Sequence, residues 1–179
     1  MSAHAIQTRD LTKSFRGGIV AVTGLDLAVE YGSVFGLIGR NGAGKTTTLR
    51  LLMGLLRPDQ GSARILGRDL AKTSRVDRSR VTYVSQSLQL PSGMTLEELC
   101  RYTSHFYPTW DQDRVKDLAK RWELPMRQLV GRYSGGQQRK AAILLALAPR
   151  PEVILLDEPA AGLDPIARRE LINELVAEL

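Results

Sequence analysis

Short apolar runs separated by glycine fill the first third of the chain, and apolar positions at helical spacing take over near residue 95. Residues 5–11 and 19–29 read as strands, the second alternating at Leu25, Leu27 and Val29, with Arg16-Gly17-Gly18 as the turn between them. Val34-Phe35-Gly36-Leu37-Ile38 is a short continuous apolar run, which predicts a strand buried on both faces. Residues 46–56 follow as a helix, with Gly54 closing its apolar face and Pro58 preventing continuation past Arg57. Residues 62–66 and 81–85 are two further strand candidates.

From residue 95 to 147 the pattern is helical. Thr95 is a candidate N-cap before Leu96-Glu97-Glu98-Leu99, residues 114–122 carry helical periodicity, and Pro108 and Pro125 divide the region. Val153-Ile154-Leu155-Leu156 reads as another buried strand between Pro151 and Pro159, and residues 166–179 as an amphipathic helix. The order is a mixed sheet, an all-helical insert, and a return to parallel strand and helix. No internal repeat, low-complexity tract or linker interrupts it.

Composition narrows the class. The 179 residues fit one domain, 43% hydrophobic and 25% charged. The single cysteine, Cys100, cannot build an internal disulfide framework, so a reducing compartment is expected. Met1-Ser2-Ala3-His4-Ala5 lacks the basic-then-apolar build of a signal peptide, and the apolar stretch 141–148 is too short to span a bilayer. The formal charge is +6. Arg57, Arg64, Arg68, Lys72, Arg75, Arg78 and Arg80 hold much of the excess, diluted by Asp59, Asp69 and Asp77. No aromatic residue is interleaved there before Tyr83, so a solvated face is expected rather than a nucleic-acid surface. A weak attraction to anionic lipid head groups is compatible with it.

The chemistry-bearing pattern is Gly39-Arg40-Asn41-Gly42-Ala43-Gly44-Lys45-Thr46. Glycines admit backbone torsions closed to other residues and let main-chain N–H groups approach phosphate oxygens. A helix starting near Lys45 adds unpaired donors and partial positive charge. Lys45 supplies a full charge toward the β- and γ-phosphates, and the Thr46 hydroxyl is a hard ligand for Mg²⁺. Asp157 and Glu158 end the apolar run that starts at Val153. Carboxylates at the carboxyl end of a parallel strand sit where open α/β sheets bind ligands. Asp157 is expected to hold magnesium, and Glu158 to polarise an attacking water. Ser134-Gly135-Gly136-Gln137 has the spacing of a capping box, yet its two glycines also bare helix-start amides. One chain holds one nucleotide at Lys45, so this second anion-seeking helix start is expected to face the nucleotide of another copy.

In these motifs the chain resembles the ATP-binding subunits of ATP-binding cassette (ABC) transporters. Phe15 stands where the family stacks an aromatic ring on adenine, and residues 39–46 resemble the Walker A loop. Gln86 resembles the Q-loop glutamine, Tyr133-Ser134-Gly135-Gly136-Gln137 the signature motif with tyrosine in place of leucine, residues 153–158 Walker B, and Ala161-Gly162-Leu163-Asp164 the D-loop. The resemblance implies an α/β P-loop NTPase (RecA-like) core with an N-terminal antiparallel β-subdomain and an inserted α-helical subdomain. Residues 1–94 and 148–179 would form the core and 95–147 the helical part.

It further implies that ATP and Mg²⁺ are bound. Phe15, Gly39, Asn41, Gly42, Ala43, Gly44, Lys45, Thr46, Thr47, Ser134, Gly136 and Gln137 would contact nucleotide. Thr46, Gln86 and Asp157 would contact the metal, and Glu158, Lys45 and Gln86 would act in hydrolysis. Two copies, or two related ATPase subunits, would sandwich two ATP molecules. Their closure would drive separate permease subunits, so the chain would lie in the cytoplasm on the inner face of the membrane. No nucleic-acid partner is expected. Phe106-Tyr107-Pro108-Thr109-Trp110-Asp111 and the residues 163–170 resemble bacterial drug- and antibiotic-export ATPases, although the aromatic cluster reads equally as packing.

Other readings are a soluble ABC ATPase acting on nucleic acid or the ribosome, and a non-hydrolysing regulatory ATP-binding module. The family's histidine beyond the D-loop helix has no counterpart here, because His4 and His105 both precede the signature. The chain is therefore expected to lack the C-terminal part bearing that histidine and to hydrolyse ATP slowly by itself. Leu171, Leu175 and Leu179 are expected to form an apolar stripe with no partner downstream of it.

Overall fold

The structure, a computed structural model, describes residues 4–72, 79–87 and 89–178, with the side chain of Lys72 excepted. Arg75, Asp77, Arg78, Leu179 and the N-terminal Met1-Ser2-Ala3 lie outside the described residues. The chain divides into two compact units, Met1–Arg78 and Ser79–Leu179.

The first unit is built on an antiparallel sheet of order β2-β1-β3-β4. Strands β1 (His4–Phe15) and β2 (Ile19–Glu30) form a hairpin closed at Phe15 opposite Ile19, where the turn signal lies. Strand β3 (Gln60–Ile65) adds to β1, and the short β4 (Arg68–Asp69), for which the sequence carried no signal, adds to β3. Ile6, Leu11, Val22, Val29, Ala63 and Ile65 are buried. Helix α1 (Lys45–Leu52) packs on β2 and β3 through Leu51 and Leu52. It stops four residues before the expected end at Leu56. Gly54 adopts φ +68°, its amide donates to Leu51 O, and the Leu55 amide donates to Arg50 O at 2.9 Å. These two bonds form a Schellman motif, which satisfies the last carbonyls and reverses the chain before Pro58 is reached.

Residues 34–38 do not form the expected buried strand. Phe35 is 52% and Ile38 96% exposed, and among the described residues no ladder pairs this run. An apolar, β-branched run becomes a strand only when a neighbouring strand takes up its backbone groups. The hydrophobic pattern registered the run and not the missing neighbour.

The second unit contains a parallel pair, β5 (Val81–Val84) and β6 (Val153–Leu156), in register from Val81–Val153 to Val84–Leu156. Helices α2 (Leu96–Ser104), α3 (Gln112–Arg121), α4 (Gly135–Leu147) and α5 (Pro165–Ala177) accompany it. Each has a side-chain cap. Thr95 and Glu98 close a reciprocal capping box on α2, as do Ser134 and Gln137 on α4. Asp111 caps α3, and Asp164, followed by Pro165 in the first turn, caps α5.

The core joins Leu96, Leu99, Val115, Leu118, Ile143 and Leu144 to Val84. Each such side chain stabilises the fold by about 1.5–3 kcal/mol relative to exposure. Leu171 and Leu175 of α5 belong to this same cluster, whose other members all precede them in the chain. Lys140 on α4 pairs with Glu174, and Arg114 and Arg121 both engage Glu178, so polar contacts fix α5 beside its apolar ones. Cys100 is buried, and burial pushes its thiol up to about 12, leaving it a packing residue.

Candidate functional site

In the first unit the glycine loop runs directly into α1. Gly42 and Gly44 both adopt φ +83°, and a Cβ on Gly44 would lie 2.1 Å from the Ala21 carbonyl oxygen of β2. That close approach fixes glycine at this position. Gly44 is the N-cap of α1 and provides no side-chain acceptor for the first turn, so that end of the helix presents its amides without a capping oxygen. Lys45 folds back over its own loop, its Nζ donating to Gly39 O at 2.8 Å and to Arg40 O at 3.1 Å. Asn41, Ala43, Thr46 and Thr47 complete the loop and first turn. This is an arrangement suited to an anion: left-handed glycines, an uncapped helix start and a cation in one turn.

Phe15 lies at the end of β1 with its ring 42% exposed, and Lys13 Nζ is 5.9 Å from the ring centroid. Lys13 is itself held to Asp59, whose second oxygen accepts from the Ser14 amide at 2.7 Å. Asp59 thus holds the two residues before the ring, Lys13 and Ser14, and fixes the strand end that carries it.

In the second unit the parallel pair delivers the carboxylates. The Asp157 amide extends the ladder to Val84 O at 2.9 Å, and the Asp157 side chain is buried, accepting from Tyr83 Oη at 3.2 Å. Glu158 takes φ +48°, a left-handed conformation rare for a residue with a long side chain. Such strain persists where surrounding structure over-determines it, and it clusters at functional sites. The Glu158 carboxylate accepts from Gln86 Nε2 at 2.8 Å. Gln86 was expected to contact the metal and Glu158 to polarise the attacking water; here their side chains touch directly. Sequence carries no signal for that contact, because the residues are far apart in the chain and neither constrains the other's periodicity.

At the start of α4, Ser134 Oγ accepts from the Gln137 amide at 3.2 Å and Gln137 Oε1 accepts from the Ser134 amide at 3.0 Å. Tyr133, at the position where leucine is usual, is buried and donates its hydroxyl to Pro125 O at 2.9 Å. Burial raises its phenol above the ordinary value. The two glycines have no internal cause. Neither has a left-handed φ; a Cβ on Gly135 would meet nothing within 4 Å, and one on Gly136 only Leu163 Cδ2 at 3.7 Å and Ser134 Oγ at 3.9 Å.

Sequence reasoning missed one role of Asp164 and the whole of Arg139. Asp164, read as a D-loop residue, also caps α5 by accepting from the Ile166 and Ala167 amides at 3.0 Å, and the Asp-Pro pair at 164–165 was the available signal. Arg139 on α4 donates to Ser85 O and Gln86 O, each at 3.0 Å, with no sequence signal beyond its being an arginine in a helix. Of the aromatic cluster, Trp110 packs against the helical core and Thr109 Oγ1 donates to Pro149 O at 2.6 Å, whereas Phe106 stays half exposed against Tyr102.

Comparison with known proteins agrees with these motifs. The chain is 37% identical over 172 residues to the daunorubicin/doxorubicin resistance ATP-binding protein DrrA of Streptomyces peucetius, covering 93% of this chain and 52% of that protein. It is 33% identical to the bacitracin transport ATP-binding protein BcrA of Bacillus licheniformis, covering 97% and 58%. A solved dimeric ATP-binding cassette in a post-hydrolysis state bound to ADP and Pi superposes with a TM-score of 0.82 at 25% identity, covering 97% of this chain and 83% of that one. The chain spans between 31% and 59% of the length of the curated relatives it matches. Its α/β fold, with an antiparallel sheet and helices, is that of ABC ATPase domains. The ABC transporter family model matches residues 22–161, and with it the chain belongs to the ABC transporter family.

Proposed function

We propose that this chain is the ATP-binding, ATP-hydrolysing part of an ABC exporter, working as a dimer on separate membrane subunits. The observation that carries the reading is the pair of glycines at the start of α4, which the fold of the chain does not require. Side chains absent without internal cause leave room for something external, and helix-start amides recruit anions. In the proposed dimer, the loop at Lys45 of one copy and the Ser134, Gly136 and Gln137 turn of the other hold one triphosphate between them. The solved cassette that is dimeric in its ADP- and Pi-bound post-hydrolysis state supports a dimer by analogy.

Within each copy, residues 39–47 cradle the phosphates through backbone amides and Lys45, and Phe15 stacks on the base. Glu158 aligns the attacking water, and Gln86 acts beside it. The hydroxyl of Thr46, the Asp157 carboxylate and the Gln86 amide oxygen are hard donors suited to magnesium. Among the described residues no three His, Cys, Asp or Glu side chains form a metal cage, and magnesium typically takes one or two protein oxygens plus phosphates. Held there, the ion would neutralise charge developing on the β- and γ-phosphates. The remaining steps belong to the chain: Lys45 binds, Glu158 orients water, and the partner's helix start completes charge stabilisation.

Residues 1–94 and 148–179 are proposed as the catalytic core and 95–147 as the helical subdomain. Among the described residues no helix is long and apolar enough to cross a membrane. The membrane-spanning part of the transporter is proposed to be separate permease subunits. The location proposed is the inner face of the membrane, and the cargo class an exported drug or antibiotic, as the names of DrrA and BcrA suggest.

The test is nucleotide binding by the full-length protein and its Lys45→Ala variant. Removing a cation that meets phosphate forfeits about 1.5–3 kcal/mol, or roughly a 10- to 150-fold weaker Kd for ATP. An unchanged Kd would refute the assigned site.

A further inference from the structure

The segment that leaves β5 is held by one guanidinium. Arg139, on the first turns of α4, donates Nη1 to Ser85 O and Nη2 to Gln86 O, both at 3.0 Å. The side chain of Gln86 continues the chain of contacts, its Nε2 donating to Glu158 Oε2 at 2.8 Å. Ser134, the N-cap of the same helix, is joined to Gln137 through its capping box. A continuous run of hydrogen bonds and rigid helix thus leads from the start of α4 to the Glu158 carboxylate.

We propose that Arg139 is a positioning residue: it ties α4 to the backbone carrying Gln86 and thereby sets the Gln86–Glu158 contact. The inference rests on the reading of Glu158 as the residue that aligns water. Packing between β5 and α4 does not need the arginine, because Val84 already shares a core with Ile143 and Leu144. Two successive carbonyls held by one planar fork have their peptide orientation fixed, which a water or an ammonium would not achieve. Gln86 is itself exposed, so its carbonyl would be hydrated without Arg139 and its side chain free to choose other rotamers. Glu158, in its left-handed backbone, offers its carboxylate to a partner whose place α4 determines. Binding of a phosphate at the start of α4 would then bear on the water-aligning group through three side chains rather than through a displaced domain.

The experiment compares the full-length protein with Arg139→Ala, Arg139→Lys and each combined with Gln86→Ala. Misplacing a catalytic group by ~1 Å costs up to ~10²-fold, so Arg139→Ala should lower kcat at least about tenfold with little change in KM for ATP. Arg139→Lys should restore only part of it. In the Gln86→Ala background the arginine substitution should change kcat less than about twofold, the non-additivity of residues acting through one contact. The side-chain amide resonance of Gln86 supplies a readout independent of turnover: Arg139→Ala should shift it and leave the β5 backbone resonances in place. Parental kcat in Arg139→Ala, equal losses in both backgrounds, or shifts that spread throughout the unit would overturn the proposal. A parent without ATPase activity would sink the functional reading instead, and an unshifted Gln86 side-chain resonance would still refute the tether.

Discussion

Gly136→Ala separates what the fold needs from what the proposed dimer needs. Gly136 is the second residue of α4 and has no left-handed φ. The added methyl would make ordinary contacts with Leu163 Cδ2 at 3.7 Å and Ser134 Oγ at 3.9 Å. Replacing a helical glycine by alanine reduces the entropy lost on folding and gains about 0.5–1 kcal/mol in a helix interior, with the lower half of that range applying to a first turn. For a chain of this size, about 2–4 °C per kcal/mol converts it to a Tm rise of roughly 1–2 °C. Function should move the other way. The methyl stands beside the helix-start amides that would face the partner's nucleotide, and losing one charge-assisted hydrogen bond costs about 1.5–3 kcal/mol. At 1.36 kcal/mol per decade, turnover falls roughly 10- to 150-fold. The assays are thermal unfolding by circular dichroism and steady-state phosphate release by the full-length protein. Unchanged turnover with Tm equal to or above the parent's would refute the intermolecular role of this helix start, and a Tm loss of several degrees would refute the claim that the fold tolerates a side chain there.

Two further perturbations probe the strain and the charges. Asparagine enters the left-handed region more readily than glutamate, so Glu158→Asn should leave stability equal or up to about 1 kcal/mol higher while turnover falls to background; a loss beyond about 1 kcal/mol in denaturant melts would contradict strain at this residue. The Thr95 amide and hydroxyl hold the Glu98 carboxyl below its ordinary value, and the Arg114 amide, with Arg150, does the same for Asp111. Because the folded-state values are depressed, their stabilisation is complete above the ordinary carboxylate range and lost as pH falls through the folded values. Thermal midpoints should be flat near neutrality and decline below about pH 4, less steeply in Glu98→Gln, which keeps the capping geometry but does not titrate; a midpoint rising on acidification would refute the sign.

Local chemistry was the legible part of the sequence. The N-cap at Thr95, the capping box at Ser134/Gln137, the turn at Arg16-Gly17-Gly18 and the strand at Val153 each depend on residues within a few positions of one another. What failed depended on distant neighbours. Residues 34–38 had strand composition and, among the described residues, no strand beside them. Leu171 and Leu175 had no partner downstream, and the cluster that buries them lies earlier in the chain. The site divides in the same way: the glycine loop and the Asp157-Glu158 pair were readable as strings, whereas the contact from Gln86 to Glu158 and the grip of Arg139 exist only once β5, β6 and α4 are assembled.

The folded-back Lys45 has a consequence for exchange of nucleotide. Its ammonium rests on the Gly39 and Arg40 carbonyls, so the loop already has an internal substitute for the anion it would receive. On the function proposed above, an arriving triphosphate would compete with those carbonyls for the cation rather than meet a bare charge, which would lower net affinity. A departing diphosphate would leave behind a lysine already solvated by its own backbone, which would ease release. The loop would in this sense give up tightness of binding for speed of exchange.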